Sequence, residues 1–381
     1  MAQPLANNKR LSMTNWSDLP QHVVVCIAKH IDSFEDFIVA RGVDRSWRSA
    51  AIKENFTGQS THQVPLLMLP DKEDTTLREF HSLKNGKLYQ LNLPDAVEKL
   101  CFSSLGWLMT QSQDLKLNLL HPLNQKKVML PDNLIFENHH HDYHRSSSIT
   151  CLWDQFTVKK FVLSASPSWT LDYMVIVLYS SDILAFCRPE EDNKWSMIDK
   201  SYIRGSYFLD ITYYQGQFYA VDCFGNVLVC DIEDPKQANT RVVVSAMPEG
   251  LIYPCIQKLY VVELGGTLFV VSRTSKCVGC CHATDEFRVF EVPFRNGNWL
   301  DSEVKTLGNK CLFLGTNSSF AVDATKYSGC KANCIYFTSD FNEKTRRDMG
   351  VFNMTDGKIE PLLEEETPYS LFPHLWIEPS F

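Results

Sequence analysis

The stretch Leu209-Asp210-Ile211-Thr212-Tyr213-Tyr214, Gln215-Gly216, Gln217-Phe218-Tyr219-Ala220-Val221-Asp222, Phe224-Gly225-Asn226, Val227-Leu228-Val229-Cys230-Asp231 decides how most of this chain folds. Three short runs rich in β-branched and aromatic residues are separated by two glycine-centred turns, the pattern of an antiparallel meander. Gln215-Gly216 has the length of a two-residue hairpin loop, with glycine supplying a positive φ. The unit recurs. Lys258 to Leu264, the Gly265-Gly266 turn, Thr267 to Arg273 and, after an insertion, Phe287 to Val292 repeat it, and Met174 to Tyr179, Ser181-Asp182 and Ile183 to Cys187 form another hairpin. Asn85-Gly86 is a type I′ turn signal, followed by Tyr89, Leu91 and Leu93 on one face. Turn centres near Ser181, Gly216 and Gly266 lie roughly 35 to 50 residues apart, and Trp195 and Trp299 follow such units after polar loops. A small sheet of this kind cannot cover both its faces alone, whereas copies stacked in a ring can. Residues 64–381 therefore read as a large all-β domain, a β-propeller of about six to eight blades. A β-sandwich would space its turns more closely, with no repeat near about 40 residues.

Residues 15–52 read as three short helices. Pro20 suits the first turn of a helix, with Ser17 and Asp18 as capping residues upstream. Val23, Val24, Ile27 and Ile31 follow at helical spacing. Ser33 with Asp36 resembles a capping box before Phe37, Ile38 and Ala40. Gly42 is placed to end that helix, and Asp44 to cap a third carrying Trp47, Ala50, Ala51 and Ile52. So small a unit buries little surface: below roughly 40 residues a domain usually needs a disulfide, a metal or a partner. Cys26 is its only cysteine, so a partner is expected. Residues 1–14 read as a flexible N-terminus and the polar stretch 53–63 as a linker.

Composition narrows the function. Of 381 residues, 44% are hydrophobic and 22% charged, which excludes disorder over most of the length. The net charge of -8, with seven Lys/Arg against six Asp/Glu in the first sixty residues, argues against nucleic acid as a partner, because phosphate binding needs a basic footprint. No apolar run reaches the roughly 18 to 20 residues of a membrane helix, so no membrane partner is expected. The polar start Met1 to Trp16 lacks a secretory pattern, and thirteen cysteines scattered through apolar contexts read as reduced thiols. The expected location is the cytoplasm, the nucleus or both.

Trp16-Ser17-Asp18-Leu19-Pro20, Ile27, Ile31, Phe37 and Val43-Asp44-Arg45-Ser46-Trp47-Arg48 resemble an F-box, the motif that docks on the Skp-type adaptor of cullin-RING ubiquitin ligases. Asp44, where the family commonly has cysteine, and Val23-Val24, where it has Leu-Leu, depart from the pattern but leave its apolar spacing intact. Val64-Pro65-Leu66-Leu67-Met68-Leu69-Pro70, Gly106-Trp107-Leu108, Leu119-Leu120-His121-Pro122, Leu130-Pro131 and the closing Leu375-Trp376-Ile377-Glu378-Pro379-Ser380 are similar to plant F-box proteins with a C-terminal KIB-type β-propeller. The resemblance implies a non-catalytic substrate-recognition subunit of such a ligase. Leu19, Pro20, Val23, Ile27, Ile31, Phe37, Val43 and Trp47 would bind the adaptor, and the propeller would bind an unidentified target protein. In a ring, the closing strand would pair with the first blade near Val64 and remove an exposed edge. Three other readings compete: a helical lid on the β domain, a scaffold without ubiquitin transfer, and a propeller enzyme.

The sequence offers little catalytic chemistry. It has no Gly-x-Ser-x-Gly elbow, phosphate-cradling glycine loop or His-Glu-x-x-His helix, and no cofactor is expected. Cys277, Cys280, Cys281 and His282 have metal-like spacing, which Cys330 with Cys334 could extend to a tetrahedral set, but free thiols are the simpler reading. His139-His140-His141, Asp142 and His144 read as a solvated loop. Lys344, Arg346 and Arg347, and separately Arg273, Lys276 and Arg288, read as charged loop tips rather than a phosphate site.

Overall fold

The computed structural model describes residues 16–31, 34–51, 64–72, 75–132, 158–179, 183–200, 205–248, 251, 257–278, 281–294, 297–315, 318–338, 348–363 and 374–378. They fall in two compact units, Met1–Thr61 and His62–Phe381. Ser33, the polar stretch 53–63, the His139 to His144 tract and the Lys344 to Arg347 group lie outside the described residues.

In the first unit a single 3-10 turn, Trp16–Asp18, precedes α1 (Gln21–Ala28), α2 (Phe34–Val43) and α3 (Arg45–Ala50). Pro20 stands just before α1, its carbonyl accepting from the Val23 and Val24 amides at 2.9 and 3.2 Å. Gly42 does not end α2, which runs on to Val43. The break falls at Asp44, whose backbone is extended and whose Oδ1 accepts from the Trp47 amide at 2.9 Å. Asp44, one of the departures from the F-box pattern, is thus the N-cap of α3. Val24, Ala28, Phe37, Ala40, Trp47, Ala50 and Ala51 are the buried interior. The Trp47 indole donates to the Trp16 carbonyl at 3.0 Å, and Arg41 donates to the Ala51 carbonyl at 2.7 Å, tying both ends of the unit to its middle.

The second unit is a six-bladed β-propeller. Blade one holds β1 (Leu66–Met68), β2 (Leu77–Ser82) and β3 (Leu88–Asn92). Blade two holds β4 (Leu100–Ser104), β5 (Trp107–Gln111), β6 (Leu117–Leu120) and β7 (Lys127–Met129). Blade three holds β8 (Val158–Leu163), β9 (Val175–Tyr179), β10 (Ile183–Cys187) and β11 (Ser196–Ile198). Blade four holds β12 (Phe208–Tyr214), β13 (Gln217–Asp222), β14 (Val227–Asp231) and β15 (Asn239–Val244). Blade five holds β16 (Gln257–Leu264), β17 (Thr267–Val278), β18 (Cys281–Glu291) and β19 (Glu303–Val304). Blade six holds β20 (Lys310–Leu314), β21 (Ser319–Asp323), β22 (Cys334–Phe337), β23 (Gly350–Asn353) and β24 (Ile359–Pro361). The final strand, β25 (Leu375–Ile377), returns to blade one as its innermost member. Its pairing with β1 is antiparallel, Leu66 opposite Ile377, Leu67 opposite Trp376 and Met68 opposite Leu375, the closure expected of the sequence.

Two features depart from the sequence reading. The insertion expected after Arg273 is a continuation of β17 and β18, which pair out to Val278 and Cys281 with a bulge between Thr274 and Ser275. Here the strands run past the core, so polar residues stand on both faces and the apolar alternation that marks a strand is lost. Blade six also breaks the meander: β20 pairs antiparallel with β21 and parallel with β22, so the chain visits the axis second rather than first. A parallel pair needs a crossover. Gly329 lies in that crossover at φ +99°, and a Cβ there would stand 2.5 Å from the Leu83 carbonyl oxygen of the β2–β3 hairpin. Only glycine lets the crossover seat against blade one.

Apolar wedges fill the spaces between blades. Phe102, Trp107, Phe161 and Trp195 join blades two and three, Phe186, Phe208 and Phe218 join three and four, and Leu259, Phe290 and Trp299 lie between four and five. Tyr260, Phe287, Phe337 and Phe352 lie between five and six, and Leu67, Phe313, Tyr336 and Trp376 between six and one. Trp195 and Trp299 hold equivalent places, each just before the outermost strand of its blade. Each indole donates back to the preceding blade, to the Pro131 carbonyl at 3.0 Å and the Ser245 carbonyl at 2.8 Å.

Trp376 is fully buried on the closing strand, edge-on to Phe313 at 4.9 Å. Trp376→Ala should lower unfolding free energy by about 3 to 5 kcal/mol, the usual cost of truncating a buried aromatic. Gly329→Ala should also destabilise the ring, by straining the same seam. Urea titrations checking both should show a lower midpoint; unchanged midpoints would mean the seam does not limit stability.

Candidate functional site

The eight residues expected to meet an adaptor divide by depth. Phe37 and Trp47 are interior to the helical unit. Leu19, Val23, Ile27 and Ile31 are half-buried, and Pro20 and Val43 are exposed. The spacing of Val23 and Ile27 puts them on one flank of α1, beside the buried face made by Val24 and Ala28, and Ile31 follows just past the helix end. α1 is therefore apolar over a wider arc than its own unit covers. Trp16, 64% exposed, and Val39 on α2 are further uncovered apolar side chains of the unit. The sequence reading missed their exposure, because periodicity shows that a side chain is apolar but not how far its own unit covers it.

The propeller carries its distinctive chemistry at the axis, around which β25, β4, β8, β12, β16 and β21 lie side by side. Lys160 of β8 and Asp210 of β12 form a buried ion pair there. Ser319 of β21 accepts from Lys160 Nζ at 3.0 Å and donates to Asp210 Oδ2 at 3.0 Å. Asp210 also accepts from the Ile211 amide and, across to blade five, from the Val261 amide, each at 2.9 Å. Burial pulls the Lys160 pKa below the ordinary lysine value, against the opposing pull of Asp210. Both residues follow a bulge: register slips between Val158 and Lys160 on β8, and between Phe208 and Asp210 on β12. Bulges of this kind re-aim a side chain. On the far side of the axis Ser103 and Ser318 both donate to the Trp376 carbonyl, linking blades two, six and one.

Where β4, β8 and β16 end, the axis opens into a cavity of about 390 Å³. Five serines and Lys160 contribute to its wall, with Glu263 at the end of β16 and Glu378 just past β25. Burial, with the Glu263 charge nearby, pushes the Glu378 carboxyl up to about 7. Trp169, Tyr213 and Phe320 line it as well, Trp169 being 66% exposed and followed by Leu171 at 64%. The aromatic surface continues over blades four and five: Phe294 stacks on Tyr214 at 6.4 Å and meets Tyr219 edge-on at 5.8 Å, and the Tyr214 hydroxyl donates to the Gly266 carbonyl at 2.9 Å.

The KIB1-4 beta-propeller family profile matches residues 80–353. The chain belongs to that family. F-box protein SKIP23 of Arabidopsis thaliana is 27% identical over 91% of this chain and 91% of its own length. A putative F-box protein of the same plant is 23% identical over 97% of this chain and 99% of that one. The arrangement is that of a plant F-box protein with a KIB-type propeller. Among solved structures, the Cps50 (Swd1) β-propeller domain of Myceliophteria thermophila aligns with a TM-score of 0.32 and 11% identity over 77% of this chain and 98% of that one.

The remaining sequence candidates in this KIB1-4 propeller resolve differently. Arg273 is not a loop tip but a buried staple between blades five and six. It donates to the Tyr260 hydroxyl, the Thr338 carbonyl and Asp348, the last at 2.7 Å, and lies 4.9 Å from the Phe337 ring centre. Lys276 pairs with Asp285 and Arg288 with Glu303, on the hairpin rather than at a turn. Cys277 and Cys281 stand on the distal β17–β18 hairpin of blade five. Cys330 and Cys334 belong to blade six, where Cys330 hydrogen-bonds the buried Cys311. Among the described residues, no three His, Cys, Asp or Glu are grouped to hold a metal ion.

Removing one partner of a buried ion pair leaves the other charge without compensation. Asp210→Ala should therefore cost about 3 to 5 kcal/mol of unfolding free energy, while the double change Lys160→Met/Asp210→Leu should recover most of that loss. Denaturant unfolding of the two variants decides the point. If the double variant is as unstable as the single, the pair matters for shape rather than charge.

Proposed function

We propose that this KIB1-4 family protein is the substrate-recognition subunit of an SCF-type cullin-RING ubiquitin ligase, working in the cytoplasm or nucleus. The observation that carries the proposal is the apolar flank of the helical unit, where Leu19, Val23, Ile27 and Ile31 are only half-buried beside exposed Pro20 and Val43. A helix that stays apolar beyond its own packed face calls for a partner. In a chain with F-box relatives along nearly its whole length, the partner that fits is a Skp-type adaptor, and through it the cullin-RING assembly.

Phe37 and Trp47 have a different part in this scheme. Buried in the unit's own interior, they hold α1 and α3 in the arrangement that presents the flank. The propeller supplies the other half, an aromatic surface and a cavity at its axis for a target protein. The subunit makes and breaks no bond itself. It holds the target near the ubiquitin-charged enzyme, so that transfer proceeds at a high effective concentration.

A pull-down of the purified full chain with a Skp-type adaptor tests the reading. Wild type should be retained, and Leu19→Ala/Pro20→Ala should lose at least roughly tenfold in affinity, because apolar anchors at interface centres commonly cost about 1 to 4 kcal/mol each on truncation. Circular dichroism of the β domain should not change. Failure of a well-folded wild type to bind would remove the ligase reading.

A further inference from the structure

The wall of the axial cavity has a definite chemistry. Lys160, the cationic group among its described lining residues, is matched by Asp210 and held by Ser319. Its two glutamates have no such match among the described residues: there Glu263 accepts from the Gly266 amide, and neither glutamate forms an ion pair. Among the described residues, the titratable groups that act on Glu378 are Glu263 from β16 and the Tyr327 phenol beyond β21; Lys160, neutralised by Asp210, shares the cavity wall. The cavity therefore carries surplus negative charge, and its aromatic members offer π faces of the kind that attract cations. About 390 Å³ lies at the lower end of the range for ligand pockets, room for one side chain or a small molecule.

An anion would be repelled, and a neutral apolar group would desolvate a carboxylate without compensation. What the wall fits is a cationic nitrogen on an aliphatic stem. A free polyamine and a basic side chain share that chemistry, and the surroundings favour the side chain. Exposed Trp169, Leu171 and Phe294 extend the apolar surface well past the cavity, and Trp and Tyr dominate the centres of protein interfaces. A small cation would leave that surface unused.

We infer that the axial cavity receives an arginine or lysine side chain of the protein target, with Glu263 and Glu378 pairing its charge and Trp169, Tyr213 and Phe320 flanking its stem. This rests on the reading of the propeller as the target-binding half. It does not rest on adaptor binding, which the peptide experiment below leaves out.

The probe is the pentapeptide acetyl-Gly-Ala-Arg-Ala-Gly-amide, compared with the same peptide carrying citrulline, a neutral isostere, and with spermidine. Binding to the full chain is followed by tryptophan emission and by saturation-transfer NMR of the ligand. The arginine peptide should bind saturably and at least roughly tenfold more tightly than the citrulline peptide, about the worth of one charge-assisted pair. Because the free Glu378 carboxyl titrates near 7 and a cation pairs with its ionised form, affinity should rise from pH 6 to pH 8 and level off above. Glu378→Gln should weaken the arginine peptide about fivefold or more at pH 8 and flatten the pH profile, while its thermal midpoint at pH 8 stays level or rises. The sign follows from burial: a carboxyl raised above its unfolded value costs stability as pH climbs from about 4.5 to 7, and glutamine removes that cost. Equal binding of the arginine and citrulline peptides, or no saturable binding of either, overturns the inference. Spermidine displacing the peptide at lower concentration would assign the cavity to a free polyamine instead. Adaptor binding with no peptide binding would leave the ligase reading intact and sink this one alone, and the converse pattern would do the reverse.

Discussion

Three backbone pairings between residues at opposite ends of the β domain hold the ring shut, Leu66 with Ile377, Leu67 with Trp376 and Met68 with Leu375. An open stack of antiparallel sheets would end in an unpaired inner strand and an uncovered blade face. Closure removes both, and it brings the wedge of Leu67, Phe313, Tyr336 and Trp376 together. The axial geometry follows from it. Ser103 and Ser318 can share the Trp376 carbonyl only when β25 is in place, and the Lys160–Asp210 pair is shielded only when every inner strand is present. A buried ion pair inside a closed ring is a weak source of stability, because desolvating two charges offsets most of their attraction.

Much of this architecture was legible in the chain. The Gln215-Gly216 and Gly265-Gly266 turns, the antiparallel pairing of β9 with β10 and the closing strand all stand where the alternation and glycine chemistry place them. Trp195 and Trp299 were visible as a repeat, though their use as donors to the previous blade was not. Blade count was open because β19 is two residues long and blade six reverses its first two strands, so the repeat is irregular where counting matters.

The axial site was hidden for a physical reason. Lys160 and Asp210 lie on different blades, and each follows a bulge that shifts the strand's side-chain phase by one residue. Strict period-two reading assigns the wrong face after a bulge. Arg273 was misread for a related reason: β17 runs past the core and keeps pairing through polar sequence, so a buried guanidinium between two blades looked like a charged tip. Gly42 marks the converse error. In a helix that leaves its Cβ position in open space, glycine need not end anything, and the stop came from the side chain of Asp44.

The provenance of the closing strand also orders events in time. During synthesis, β1 emerges a whole propeller's length before its inner partner β25, so blade one waits with an unsatisfied edge while the other five blades are made. Such edges are where nascent β proteins pair wrongly with their neighbours on a polysome. The three-residue length of β1 limits that hazard, since a strand so short offers a stray partner little to pair with. The helical unit precedes all of this in the chain and leaves the ribosome first. A ribosome that stalls late would therefore display finished helices ahead of a ring that has not yet closed.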